Sequence, residues 1–279
     1  MTRPNLLHKM FSRADVWLAT LVLLVIVALA VAAPLIYPKG PWAMGGRPFL
    51  GPAGDLRFPL GTDTNGRNIL AGLIWGGRVS LVIGLVSTAV AVSIGVLIGA
   101  VAGYAGGRVD AALMRFTEIF QVVPGFALAL VLVAVLQPSA GSIVLAIGVV
   151  SWPPVTRLVR AEFLSLRSRD FVYAAQLQGQ SSLRIMFRQI LPNVASPIIV
   201  MGSLMVATAI LLESSLSFLG LGDPNRMSWG FMVGASRTVL RQAWWMATFP
   251  GLAIAVTVLA LNVLGEALND ALGSQSGKR

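Results

Sequence analysis

The sequence predicts an all-α integral membrane protein with six transmembrane helices, and three observations carry that reading. Hydrophobic residues make up 56% of the 279, charged residues only 11%, and the mean hydropathy is +0.79. Soluble globular chains carry about 25% charged residues, so this chain cannot dress a water-facing surface and most of its exterior must face lipid. Six apolar runs are long enough to be spans, and the basic residues sit mainly in the connections between them. A net charge of +10 scattered in this way is a topology signal and a match for anionic headgroups. It is not the dense basic face of a nucleic-acid binder, and a soluble enzyme is excluded as well.

The first run, Val16 to Ile36, follows Arg3, Lys9 and Arg13. It has about the 20 residues that cross a hydrocarbon core of roughly 30 Å. Ala30-Val31-Ala32 resembles a signal-cleavage site, but the run is longer than the about 7–15 apolar residues of a signal peptide, which favours an uncleaved helix. Residues 1–36 are therefore read as an amino-terminal stretch and first span, and 37–77, rich in Pro and Gly with charges of both signs, as a water-facing loop. The five-helix remainder, 78–279, holds spans at about Val79–Tyr104, Phe116–Leu136, Ile143–Leu158, Val194–Leu212 and Ala247–Leu268. A polar, Arg-rich connection, 159–193, separates the fourth span from the fifth. The side that holds both termini collects Arg157, Arg160, Arg167, Arg169, Arg184 and Arg188 around that connection, so the positive-inside rule places it in the cytoplasm. The expected location is a cytoplasmic (inner) membrane crossed several times.

Gly95, Gly99 and Gly103, with Ala91 before them, recur every four residues. They form one stripe on which a second helix can approach closely. Prolines 124, 153, 154 and 250 fall inside or beside spans and are expected to kink or break them. Catalytic chemistry is absent from the sequence. There is no cysteine, the lone His8 lies in the polar amino-terminal stretch, and Lys9, Lys39 and Lys278 lie outside any Gly-rich phosphate loop, so no means of binding ATP is visible. Glu118, Glu213 and Glu266 fall near predicted helix ends, whereas ion-coupled carriers place such groups at mid-membrane. An ion-coupled carrier working alone and a non-transporting scaffold remain the rivals from other classes.

The 159–193 connection carries the most information. Ala174 and Ala175, with Leu177, give a short helical piece, Gly179 is placed to break it with a left-handed turn, and Arg184 to Ile190 forms a second amphipathic piece. Pro192 then opens the fifth span, where a missing amide proton costs nothing. A short helix, a glycine corner and another short helix make a rigid projection, or alternatively an amphipathic connector lying on the membrane surface.

The spacing Ala174-Ala175, Gly179, Pro192 resembles the EAA loop of ABC importer permeases. The segments Pro59-Leu60-Gly61-Thr62-Asp63, Gly66-Arg67, Arg78-Val79-Ser80-Leu81, Gly106-Gly107-Arg108-Val109-Asp110, Arg115, Pro124, Ser215 to Gly222, Ser228-Trp229-Gly230 and Phe249-Pro250-Gly251-Leu252 are similar to the dipeptide/oligopeptide (and nickel) group, C-subunit type. The resemblance implies a type I permease fold with a cytoplasmic coupling helix. It also implies a second B-type permease as heterodimer partner, two ATP-binding subunits that hold the ATP and Mg, and an extracytoplasmic substrate-binding protein. No cofactor is expected in this chain itself. The implied solute is a di- or oligopeptide, with nickel or another metal complex as the alternative. The coupling residues carried over are Tyr173, Ala174, Ala175, Gly179, Arg184, Arg188, Leu191 and Pro192. Two positions depart from the family pattern: Tyr173 stands where the Glu that names the loop is usual, and Gln189 where His or an aliphatic is frequent. Glu213, Ser214 and Ser215 are candidate pathway or gate residues, with a helix-end carboxylate in water as the other reading of Glu213. Trp42, Trp229, Trp244 and Trp245 are read either as anchors for the binding protein or as the aromatic belt of the bilayer.

Overall fold

The computed structural model describes residues 13–276, with side chains to residue 272. The expectations for Arg3, His8, Lys9, Lys278 and Arg279 lie outside the described residues. Helices are α1 (Ala14–Ile36), α2 (Ile69–Ala105), α3 (Gly107–Val122), α4 (Gly125–Leu136), α5 (Ala140–Leu166), α6 (Asp170–Leu177), α7 (Ser182–Leu221), α8 (Trp229–Ser236) and α9 (Trp245–Ser276). Helices α1, α2, α5, α7 and α9 are each long and apolar enough to cross a bilayer, and the bent pair α3–α4 is so when its two pieces are taken as one span.

Side-chain contacts define the two ends of the bundle. At one end, Arg13 bonds Asp270 at 3.2 Å, Arg167 reaches the carbonyls of Gly103 and Tyr104, and Asp110 pairs with Arg160 through two bonds of 2.5 and 2.6 Å. At the other end, the Trp75 indole donates to the Tyr37 carbonyl, Ser142 to the Leu136 carbonyl, and Asp223 accepts from the Ala140 amide. The chain between Gly107 and Leu136 therefore runs from one end to the other.

That crossing is not the straight span expected over Phe116–Leu136. It begins nine residues earlier, breaks at Val123–Pro124 and bends by 81°. Pro124 has no amide proton and pushes the residue before it into the extended region, where Val123 sits at φ −85°, ψ 130°. The two pieces measure about 24 and 18 Å and together reach roughly 30 Å, the thickness of the hydrocarbon core. The other prolines behave differently. Pro153, Pro154 and Pro250, with Pro34 and Pro197, lie within helices that continue past them.

The second span is longer than expected, because residues 69–77 are helical and not part of the loop. Asn68 starts it by accepting from the Leu70 and Ala71 amides, at 2.9 and 3.4 Å, which satisfies two of the helix's orphan donors. Gly76 and Gly77, which read as loop residues, lie under the Trp229 ring. Stripe residues Gly95, Gly99 and Gly103 face α5. A Cβ on Gly99 would meet the Thr156 carbonyl at 2.6 Å, and one on Gly95 would meet Val155 at 2.5 Å. With no hydrophobic drive between helices in lipid, this close backbone approach holds α2 to α5.

The 37–68 segment folds as a cap over the ends of α2, α8 and α9. Thr62 is fully buried. Its hydroxyl donates to the Arg47 carbonyl at 2.6 Å and accepts from the Leu50 amide, while its carbonyl accepts from the Trp245 indole. Arg67 stacks on Trp42, 4.7 Å from the ring centre, and Trp42 meets Phe231 edge-on. Trp229 and Trp245 are buried, so neither serves as a lipid-belt residue or as a docking anchor. Trp229 donates to the Leu73 carbonyl. Trp244 stays exposed.

Candidate functional site at the turn between α5 and α7

Helix α6 is eight residues long, too short to be stable alone in water. It is held by its buried face. Val172 and Ala175 pack with Val159 and Phe163 of α5 and with Ile185, Met186 and Ile190 of α7. The helix ends in a Schellman turn, in which the Gln180 amide donates to the Ala175 carbonyl and the Gly179 amide to the Gln176 carbonyl. Gly179 takes φ +73° there, a conformation that costs a Cβ-bearing residue about 1 kcal/mol or more. Gln189 donates to the Gln180 side chain at 3.3 Å, so one of the two departures from the family pattern holds the corner closed.

The piece after the corner is not a separate helix. Residues 182–184 run straight through a wide turn, Ile185–Ile190, into the membrane helix. Pro192 therefore lies inside α7 and does not open it. In the wide turn the Leu191 amide donates to the Met186 carbonyl, five residues back, which makes room for a proline ring that would clash with the carbonyl four residues before it.

The opposite face of this corner is apolar and uncovered. Leu177 is 90% exposed, Leu183 67% and Tyr173 53%, with Phe171 and Phe187 beside them. Arg184 and Arg188 are exposed at its edge. The two alanines have different positions. Ala175 is buried against the bundle, and Ala174 lies on the open face, where a small side chain leaves the helix backbone approachable. Leu191 is half-buried and Pro192 exposed. Phe171, Leu177, Leu183 and Phe187 were not singled out from the sequence. The available signal was a set of large apolar residues in a connection otherwise rich in Arg, Gln and Ser.

The candidate gate residues divide. Glu213 is 1% exposed and lies in the last regular turn of α7, just before its wide turn Ser217–Leu221, so it is near a helix end but not in water. Its Oε1 accepts from Ser217 at 2.8 Å and from Ser228 at 2.7 Å, and its Oε2 faces the Ser214 hydroxyl at 3.5 Å. Ser228 also caps α8 by accepting from the Phe231 amide, and the Trp229 amide donates to Ser80 of α2. One carboxylate thus ties the start of α8 to α7 beside α2, and every donor it uses among the described residues is a serine. Gly230 is obligatory next to it, since a Cβ there would lie 2.7 Å from Ser214 Cα and 2.9 Å from Glu213 Oε1. Ser215 points outward and bonds only its own helix. No group of three or more His, Cys, Asp or Glu among the described residues could hold a metal.

Residues 95–275 match the family described as the binding-protein-dependent transport system inner membrane component. The chain is 40% identical over 258 residues to the di/tripeptide transport system permease protein of Pseudomonas aeruginosa, covering 90% of this chain and 85% of that one. It is 40% identical over 254 residues to the dipeptide transport system permease protein of Escherichia coli, covering 89% and 85%. Against the Haemophilus influenzae dipeptide permease protein the identity is 37% over 256 residues. A six-crossing helical bundle with an uncovered apolar corner at one end thus has a known context: this chain belongs to the family of binding-protein-dependent inner membrane transport components, and is a permease subunit of an ABC importer.

Proposed function

We propose that the chain forms half of the transmembrane pathway of an ATP-driven importer of di- and oligopeptides, and that the α6–α7 corner is where it receives work. The carrying observation is the apolar face of Phe171, Tyr173, Leu177, Leu183 and Phe187, exposed on α6 and the first turns of α7. A contiguous apolar face in water marks a protein contact, and a rigid corner held by a Schellman turn transmits motion without bending. An ATP-binding subunit seated on that face, and a second on the equivalent corner of a B-type partner permease, would carry the ATP and Mg that this chain has no motif to bind. Closure of the ATPases would push α6 as a lever and rock α5 and α7 between two packings.

In this reading the corner and both termini face the cytoplasm, as the Arg-rich 157–188 stretch favours. The folded 37–68 cap faces the extracytoplasmic substrate-binding protein. Peptides are preferred to nickel because the similar permeases are named for peptides and dipeptides. Tyr173 in place of the usual Glu gives a contact built on an aromatic ring instead of a carboxylate.

The test is purification of the chain from its native membrane in mild detergent, followed by reconstitution and uptake of labelled dialanine. Stoichiometric recovery of a second permease and ATPase subunits, with ATP-dependent uptake, is the expected result. Recovery of the chain alone, with uptake driven by a proton or sodium gradient, would replace this reading with an ion-coupled carrier.

A further inference from the structure

We infer that the elbow between α3 and α4, residues 121–125, lines a water-filled path at mid-bilayer depth and does not face lipid. This rests on the reading of the chain as half of a solute pathway. The depth follows from neighbours on α5. Phe116 stacks on Trp152 and Phe120 meets it edge-on, and a Cβ on Gly125 would lie 4.0 Å from Val150. Val150 and Trp152 are close to the middle of α5 (Ala140–Leu166).

At that depth the backbone is broken. Among the described residues, no backbone hydrogen bond joins α3 to α4. The last carbonyls of α3 and the first amides of α4 have no intrahelical partner, Pro124 offers no side-chain cap to α4, and among the described residues the Val123 amide has no backbone acceptor. Polar backbone groups in hydrocarbon each cost several kcal/mol, so irregular backbone is tolerated at this depth only where protein or water covers it. No described residue covers it, because residues 121–127 are exposed without interruption.

Water is favoured over a packed protein neighbour by what surrounds the break. Gln121 places an exposed carboxamide there, with no side-chain hydrogen bond among the described residues, next to carbonyls able to accept from peptide N–H groups. Below it, Phe116 and Phe120, backed by the buried Trp152, give one wall of the path an apolar, aromatic surface. Val122, at the apex, and Phe126, just beyond it, are exposed as Gln121 is.

The absence of native cysteine gives a direct test on the assembled transporter in vesicles. Single substitutions Gln121→Cys and Val122→Cys are labelled with a charged, membrane-impermeant thiol reagent, with and without trapped nucleotide. Asn65→Cys in the exposed cap is the aqueous reference, and Leu21→Cys and Leu24→Cys on the exposed face of α1 are the lipid references. Such reagents act on the thiolate, which forms only in water, so both elbow positions should label about tenfold or more faster than the lipid references in at least one state. Labelling as slow as at Leu21→Cys in both states overturns the inference. Dialanine uptake is read in the same vesicles: uptake with slow labelling removes the elbow alone, whereas labelling without uptake leaves the elbow standing and removes the peptide reading.

Discussion

Glycine at position 230 and serine at position 228 show how single residues keep this bundle together. Glu213 is buried, with serine hydroxyls as its donors among the described residues, and a buried carboxylate is tolerated only when its lone pairs are met. Ser228→Ala removes one of those donors and the cap of α8 together, and should lower stability in detergent by about 1–3 kcal/mol. Gly230→Ala forces a Cβ against the Ser214 backbone and should cost about as much through overpacking. Thermal unfolding of the purified chain checks both. An unchanged midpoint for Gly230→Ala would mean that α8 can move away from α7 at little cost. The sequence placed Glu213 among the site candidates, but its surroundings were not visible there. Ser80 and Ser228 are 148 residues apart, and only the fold brings them to the same node.

At the scale of elements, the α6–α7 corner and the α2–α5 contact make separate predictions. Gly179→Pro removes the amide that bonds the Gln176 carbonyl and imposes a negative φ where the native value is +73°. Membrane insertion should persist while ATP-dependent uptake is abolished. Leu177→Asp is the complementary change: the side chain is almost wholly exposed, so the unfolding midpoint should stay within about 0.5 kcal/mol equivalent while recovery of ATPase subunits with the chain falls sharply. Normal recovery would place the ATPase elsewhere. Gly99→Leu should separate α2 from α5, where the Thr156 carbonyl allows no room, and cost about 1–3 kcal/mol.

These elements were unequally legible in the sequence. The Gly stripe and the left-handed turn at Gly179 follow from residue type and spacing alone. The wide turn before Pro192 did not, because a proline at the first turn of a helix and a proline behind a π-turn look the same in a sequence. The start of α2 was missed for a related reason: Gly76 and Gly77 read as breakers until Trp229, far along the chain, is seen lying on them.

Across the whole molecule, six crossings with both described ends on the same side make the arrangement of an even-numbered bundle. The Arg13–Asp270 bond joins those two ends. Fusion of a reporter that is active only in the cytoplasm, placed at either terminus, should give signal at both. Signal from neither would invert the orientation and move the α6–α7 corner away from any ATPase. The Asp110–Arg160 pair fixes where the broken third crossing starts. Arg160→Ala strands a buried carboxylate and should cost about 2 kcal/mol, less than a fully buried pair because the arginine is partly exposed.

By itself, the sequence determined the class, the number of crossings, the short helix with its glycine corner and the family. Each of these depends on composition, on apolar run length or on near-neighbour spacing, and short-range physics is written locally. The tertiary structure decided that Glu213 is a buried latch, that Trp229 and Trp245 are core residues, that the polar 37–68 segment is a folded cap, and that the third crossing bends by 81° at a proline. Burial, register and the fate of a broken backbone depend on which distant segment arrives to cover them. Residues far apart in the chain set that outcome together.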